Sequence, residues 1–533
     1  MKFTSLILGL AMTIGVSSPL YAQGSCQKTG GTLTYTYSTE PVALSTVRTT
    51  SVPVAIIATK IYEGLLTYEG ATLEPKPGLA TSWDISPDSL TYTFHLRDDV
   101  KWHDGVSFTS ADVKYSIEHA TTPYHSRGKV FFGEVESIET PDPLTVVFKL
   151  KKPVPYFMKA FHASNTPVLP KHVLETIDTS KRDAVMQSAI INAPIGTGPF
   201  KLREWVKGSH VILDRNPDYW QKGFPCLDSV VMRVLPDGAA RAIALENGEI
   251  DAALMNALPD AEIERLSGLP DFEVTTKGTE GLGTIMWLDV NLREGPLADK
   301  KVRQAISLAM NRQQIIDVIW YGHGVPARGP LVSTNPFFKT DLPELGYDLK
   351  KAAALLDEAG YPVKADGTRF AIKQYFLPYG EKYVRLGEYI RQQLGKLNIS
   401  VETESLDIAG WPKAVFTDWN YQLTSTFTSN RNDPTVGSQR LFTTAYIRKG
   451  ATFTNSMGYS NPKIDELFAA GAVEPDPMKR HAIFDEAQTI LVDDMPVIYL
   501  SEMADVSIWN KKVHGLLTNG LSYYGGWEKV WKD

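Results

Sequence analysis

Several familiar constellations of catalytic residues are missing from this sequence. There is no Gly-x-Ser-x-Gly nucleophile turn, no His-Glu-x-x-His and no Cys-x-x-Cys, so neither acyl transfer nor metal hydrolysis has a visible set of groups. Carboxylates abound, but no pair can be assigned acid and base roles. Gly196-Thr197-Gly198-Pro199-Phe200 superficially resembles a phosphate loop, yet Lys201 stands where a third glycine is needed. The stretch Phe427-Thr428-Ser429-Asn430-Arg431-Asn432-Asp433-Pro434 is dense in hydrogen-bonding groups. Its amides can donate and accept hydrogen bonds, and Arg431 is either a fork for a carboxylate or phosphate or an ordinary surface arginine. No histidine cluster suggests a metal, and the sequence calls for no cofactor.

Chemistry of this kind needs elements to hold it, and the chain is long enough for more than one core at 533 residues. Lys2, the apolar run Leu6 to Val16 and the small residues before Ala22 read as an export leader over 1–22, cleaved near Ala22. The run is too short to span a bilayer, and no later segment is apolar enough to do so. Formal charge is −7, and loss of Lys2 with the leader makes it −8. Lys and Arg are scattered, which gives no footprint for nucleic acid. Cys26 and Cys226 would face an oxidising compartment, where a pair tends to become a disulfide. Two other readings are a lipidated Cys26, whose preceding Gln23-Gly24-Ser25 lacks the usual aliphatic residue, and two free thiols.

Leu33, Tyr35 and Tyr37 alternate with threonines, a half-buried strand. Thr91 to Leu96 and Leu144 to Leu150 read the same way, with a helix between them opened by Thr109 and Asp112 as a capping pair. Asp299 caps a helix with Val302, Ala305, Ile306, Ala309 and Ile316 on one face, expected to end before Gly322. A second helix runs from Asp348 to Gly360. Phe370 to Phe376, a helix near Lys382 to Leu397 and Ile399 to Glu402 form a β-α-β unit, which favours parallel pairing. The chain reads as α/β.

Several segments in order resemble the extracellular solute-binding proteins of family 5, the peptide, nickel and opine class that serves ABC importers. They are Leu79 to Gly105 (LATSWDISPDSLTYTFHLRDDVKWHDG), Gly196 to Phe200, Asn216-Pro217-Asp218-Tyr219-Trp220, Leu245 to Ala252, Lys301 to Ile306 and Tyr459-Ser460-Asn461-Pro462. Most of these residues, Trp83 and Trp102 included, read as packing. The resemblance implies a bilobed periplasmic-binding-protein fold with an extra inserted α/β domain (cluster C type) and a hinge between lobes. The first lobe would be discontinuous, 24–58, 196–282 and 495–533, with the inserted domain at 59–195 and the second lobe at 283–494.

In peptide-binding members an aspartate before an Asp-Pro pair meets the ligand's ammonium, which is costly to bury without a counter-charge. Matching on Asp433-Pro434 puts Asn430 there, so either the ligand lacks a free α-amine or Asp433 does the pairing. The resemblance also implies ligand contacts for Trp411 and Phe427 as aromatic walls, for Tyr37 and Glu40 from the first lobe, and for Tyr124 and His125 from the inserted domain. A lone histidine is more often structural. The implied function is capture of a small polar solute (peptide, opine-like conjugate or oligosaccharide) in the periplasm by a monomer that hands it to an inner-membrane permease. The alternatives are an exported hydrolase of peptides or glycosides, and a receptor for peptides or proteins without transport.

Overall fold

The computed structural model describes residues 25–70, 73–407 and 410–533; the expected leader lies outside them. The chain is built around three large sheets with separate cores. The first has seven strands in the order Phe272–Thr275, Ser507–Asn510, Ala252–Ala253, Thr32–Thr36, Ser229–Arg233, His210–Arg215 and Phe200–Val206. Thr32–Thr36 lies parallel to both its neighbours and buries Leu33 and Tyr35 on one face, as their alternation requires. Cys26 and Cys226 are joined by a disulfide that ties the start of the described chain to this sheet, which decides between the three readings of these thiols.

The second sheet has six strands: Gly324–Pro326, Val497–Met503, Thr284–Val290, Leu423–Ser429, Phe370–Phe376 and Ile399–Ser405. Phe370–Phe376 and Ile399–Ser405 pair in parallel across the helix Glu381–Gly395, the expected β-α-β unit. Both faces of the sheet are covered, and Asp289 is buried at its centre with Trp287 Nε1 donating to its Oδ1 at 2.9 Å. Desolvation raises the Asp289 carboxyl to about 7, the indole bond only partly offsetting it. The third sheet, Ala80–Ile85, Thr91–Leu96, Thr145–Leu150 and Val135–Asp142, is antiparallel throughout. The capping box forms beside it: Thr109 N–H donates to Asp112 Oδ2 at 2.8 Å.

Two expectations change. The helix opened by Asp299 ends at Leu308, and Asn311 caps a new turn by accepting from Gln314 N–H at 3.1 Å, so the apolar stripe continues across a break. Val497–Met503 hydrogen-bonds to Thr284–Val290 in the second sheet, so the return to the first sheet falls after Met503 and not at 495. The chain therefore passes between these two sheets twice, within 276–283 and 504–506.

The glycine-rich segment before Phe200 also finds its reason. A Cβ on Gly196 would lie 1.8 Å from the Ile61 carbonyl oxygen, and one on Gly198 would lie 2.5 Å from that of Lys60. Close backbone packing against the helix Val52–Ile61, not anion binding, requires these glycines.

Candidate functional site

Strand Leu423–Ser429 delivers the Asn430–Pro434 turn to the first of the two crossings. Asn430 N–H donates to Gly283 O at 2.9 Å and Arg431 N–H to Leu282 O at 3.0 Å. Arg431 and Asn432 both sit in the left-handed region, with φ of 56° and 52°. Two buried residues hold that conformation. Asn430, 0% exposed, accepts from Val332 N–H at 2.7 Å through Oδ1 and donates to Pro330 O at 3.1 Å. Asp433, also 0% exposed, takes both Arg480 nitrogens at 2.8 and 2.9 Å and caps the following helical turn through Thr435 N–H. Lys159 of the inserted unit donates to Asn432 O.

These contacts answer both readings of the turn. The Asn430 amide is occupied by protein groups, and the Asp433 carboxylate belongs to a buried bidentate pair with Arg480. Neither is offered to a ligand. What the turn does present is Arg431, whose Nε is buried with no acceptor among the described residues.

Groups from its own lobe and from the other units gather around it. His125 Nδ1 accepts from Arg127 N–H at 3.1 Å, and Arg127 and Arg431 both act on its imidazole. Burial, followed by these two cations, lowers His125 to about 3, so it is neutral at physiological pH. Arg440, which donates to Phe453 O, is lowered to about 10 by burial and by Arg431. Tyr524, near the chain end, feels both Arg431 and Arg127. Tyr37 lies in the same electrostatic neighbourhood, with Asp505 and Tyr524. Asp505 lies in the second crossing and accepts from Asn256 Nδ2 at 2.8 Å; desolvation raises its carboxyl, with Lys382 opposing. On the second lobe's side, Phe427 stacks on Tyr383 with centroids 6.1 Å apart and meets Tyr379 at 6.0 Å.

Of the residues singled out from sequence, Tyr37, His125, Phe427 and Arg431 therefore come to the junction. Trp411 does not: it is 0% exposed in the second lobe's core, its Nε1 donating to Thr424 Oγ1 at 2.9 Å. Glu40 accepts from Gly208 N–H at 2.8 Å on the surface of the first lobe. The Tyr124 hydroxyl donates to Thr179 O at 2.6 Å. Sequence reasoning missed Arg127, Arg440, Tyr383, Asp505 and Tyr524, which sit in no motif. Only the position of Asp505 between two strands of different sheets would have drawn notice.

Two sheet-based lobes joined by two crossings, with polar and aromatic groups of both meeting an inserted unit at the junction, define a hinged two-lobe binding protein. The profile described as "Bacterial extracellular solute-binding proteins, family 5 Middle" matches residues 74–449. The dipeptide-binding protein of Escherichia coli (strain K12) is 27% identical over 483 residues, covering 86% of this chain and 87% of that protein. The glutathione-binding protein GsiB of Salmonella typhi is 28% identical over 482 residues, covering 86% of each. Among solved structures, the periplasmic binding protein DppA of Helicobacter pylori in complex with the peptide STSA superposes with a TM-score of 0.80 at 27% identity, over 95% of this chain and 98% of that one. AgaA of A. tumefacien R10 in complex with agropinic acid gives 0.78 at 26%, over 94% and 99%. The chain belongs to the bacterial extracellular solute-binding proteins of family 5. It is a binding protein of an ABC importer and not an enzyme.

Proposed function

We propose that the chain closes its two lobes on a small polar solute (peptide-like, opine-like or a sugar conjugate) and delivers it to the permease as a periplasmic monomer, once the leader 1–22 has been removed. The first lobe comprises 24–58, 196–282 and the segment after the second crossing, 59–195 is the inserted domain, and the second lobe runs from 283 to that crossing. One observation carries the reading: Tyr37 and Tyr524 of the first lobe, Arg127 of the inserted unit, and Arg431 and Phe427 of the second lobe lie around the two crossings. Similar proteins carry a tetrapeptide and an opine, so the scaffold accommodates both kinds of ligand. Ligand stabilises the closed form by touching both lobes at once.

The test joins two measurements. A ligand at about 100 times its dissociation constant should add roughly 2.7 kcal/mol to stability. With that ligand, solution scattering should show a monomer whose radius of gyration falls. Tight binding with no compaction would refute closure.

A further inference from the structure

We propose that Arg127, Arg431 and Arg440 form a site for a compact, multiply charged anion, so that the solute carries at least two negative charges on carboxylate or phosphate groups. This rests on the interlobe binding reading and narrows it. The first observation is the company these arginines keep. The charged or ionisable groups acting on them are one another and the tyrosines Tyr524 and Tyr446; no carboxylate is among them. Arg127 Nη1 and Arg431 Nε are buried without a hydrogen-bond acceptor among the described residues.

The second observation is the contrast between these partly exposed arginines and three buried ones, Arg303, Arg312 and Arg480. Arg480 holds Asp433 bidentately, and Arg303 and Arg312 are ringed by backbone carbonyls and a serine hydroxyl. This sequence gives each of these three buried guanidinium groups protein acceptors, although the partly exposed Arg328 also keeps a buried Nε without one. At the junction it leaves two guanidinium nitrogens orphaned and sets three like charges against one another, an arrangement costly without a counter-ion. The third observation is the backbone. Arg431 holds a left-handed conformation uncommon for arginine, and Asn430 and Asp433 pin the turn on either side. That conformation fixes where the Arg431 side chain leaves the backbone.

The charge count follows from geometry. One carboxylate engages one guanidinium fork, so three forks call for more than one negative charge, and a phosphate or a dicarboxylate supplies it compactly. Arg127 comes from the inserted unit and the other two from the second lobe, so one anion would bridge both. The uncharged His125 adds no further cation.

The experiment uses the full mature chain, stripped of copurifying solute by reversible denaturation. Melting temperature is read in millimolar citrate, inorganic phosphate and glucose 1-phosphate against chloride at matched ionic strength. Wild type is expected to melt several degrees higher with at least one of the three, and citrate against the two phosphates separates carboxylate from phosphate as the preferred group. In Arg431→Gln, and independently in Arg127→Gln, the shift should disappear and affinity fall at least about tenfold. Their solute-free forms should melt no lower than wild type, since like-charge repulsion is relieved; a merely structural arginine would leave a less stable protein. A wild type indifferent to all three anions, or variants that keep the full shift, overturns the site. Free peptides and neutral sugars form the remaining arm: stabilisation by one of these alone, with compaction, would sink the anion site and leave the two-lobe reading standing.

Discussion

Asn430 and Asp433 lie three residues apart in one turn, and what each touches fixes its chemistry. Asn430 must accept a hydrogen bond and donate one at the same time, which an ionised carboxylate cannot do. Asn430→Asp would face the Pro330 carbonyl with a second acceptor, so we expect a loss of about 1–3 kcal/mol in urea unfolding, with no gain in binding of free peptides. An unchanged midpoint would count against the structural role. The turn's position in the sequence was legible, but its roles were not: matching the aspartate of relatives pointed to Asn430 and Asp433, whereas contacts 47 and 100 residues away assign both to packing. Asp289 gives a second test. Its folded carboxyl keeps its proton up to about 7, while the unfolded group loses it near 3.8. Between those values the folded chain holds the extra proton, so this group's contribution to stability falls as pH rises, by up to about 1.4 kcal/mol per unit, and levels off above. The half-buried His103 and the buried His125 and His162, lowered to about 4, 3 and 4, give the opposite slope below about 6.5. Asp289→Asn removes only the first contribution. The stability of the variant relative to wild type should climb from pH 4 to 7 and then hold; a flat difference would contradict the assignment.

At the scale of elements, local rules sufficed where one pattern governed one segment. The strand at Leu33 and Tyr35, the Thr109–Asp112 cap and the β-α-β unit at 370–405 follow from alternation, capping and helical period, and all three form. The helix after Asp299 was overextended because an apolar stripe carries across a break when both pieces pack on one core. The Cys26–Cys226 bridge is an element of another kind, closing a sequence separation of 200 residues. Replacing both cysteines with serine should cost about 3–5 kcal/mol in chemical denaturation, chiefly by freeing the unfolded chain. If wild type in reducing buffer and the double variant unfold at the midpoint of oxidised wild type, the bridge contributes nothing.

For the whole molecule, the resemblance supplied the two lobes and the inserted unit, but composition marked none of the boundaries. Val497–Met503 shows why. It is a buried apolar strand that reads equally well in either sheet, and only its pairing with Thr284–Val290 assigns it. Arg127 was hidden for the same reason, since it is remote in sequence from Arg431 and Arg440 and meets them only through the folded chain.

The path of the backbone also governs when each half can form. Ser507–Asn510 lies between Ala252–Ala253 and Phe272–Thr275, so the sheet begun at Thr32 has a gap until nearly the last residues are synthesised. Pairings of such long sequence separation form slowly. During synthesis the first sheet therefore stays incomplete until the carboxyl-terminal strand arrives to fill the gap.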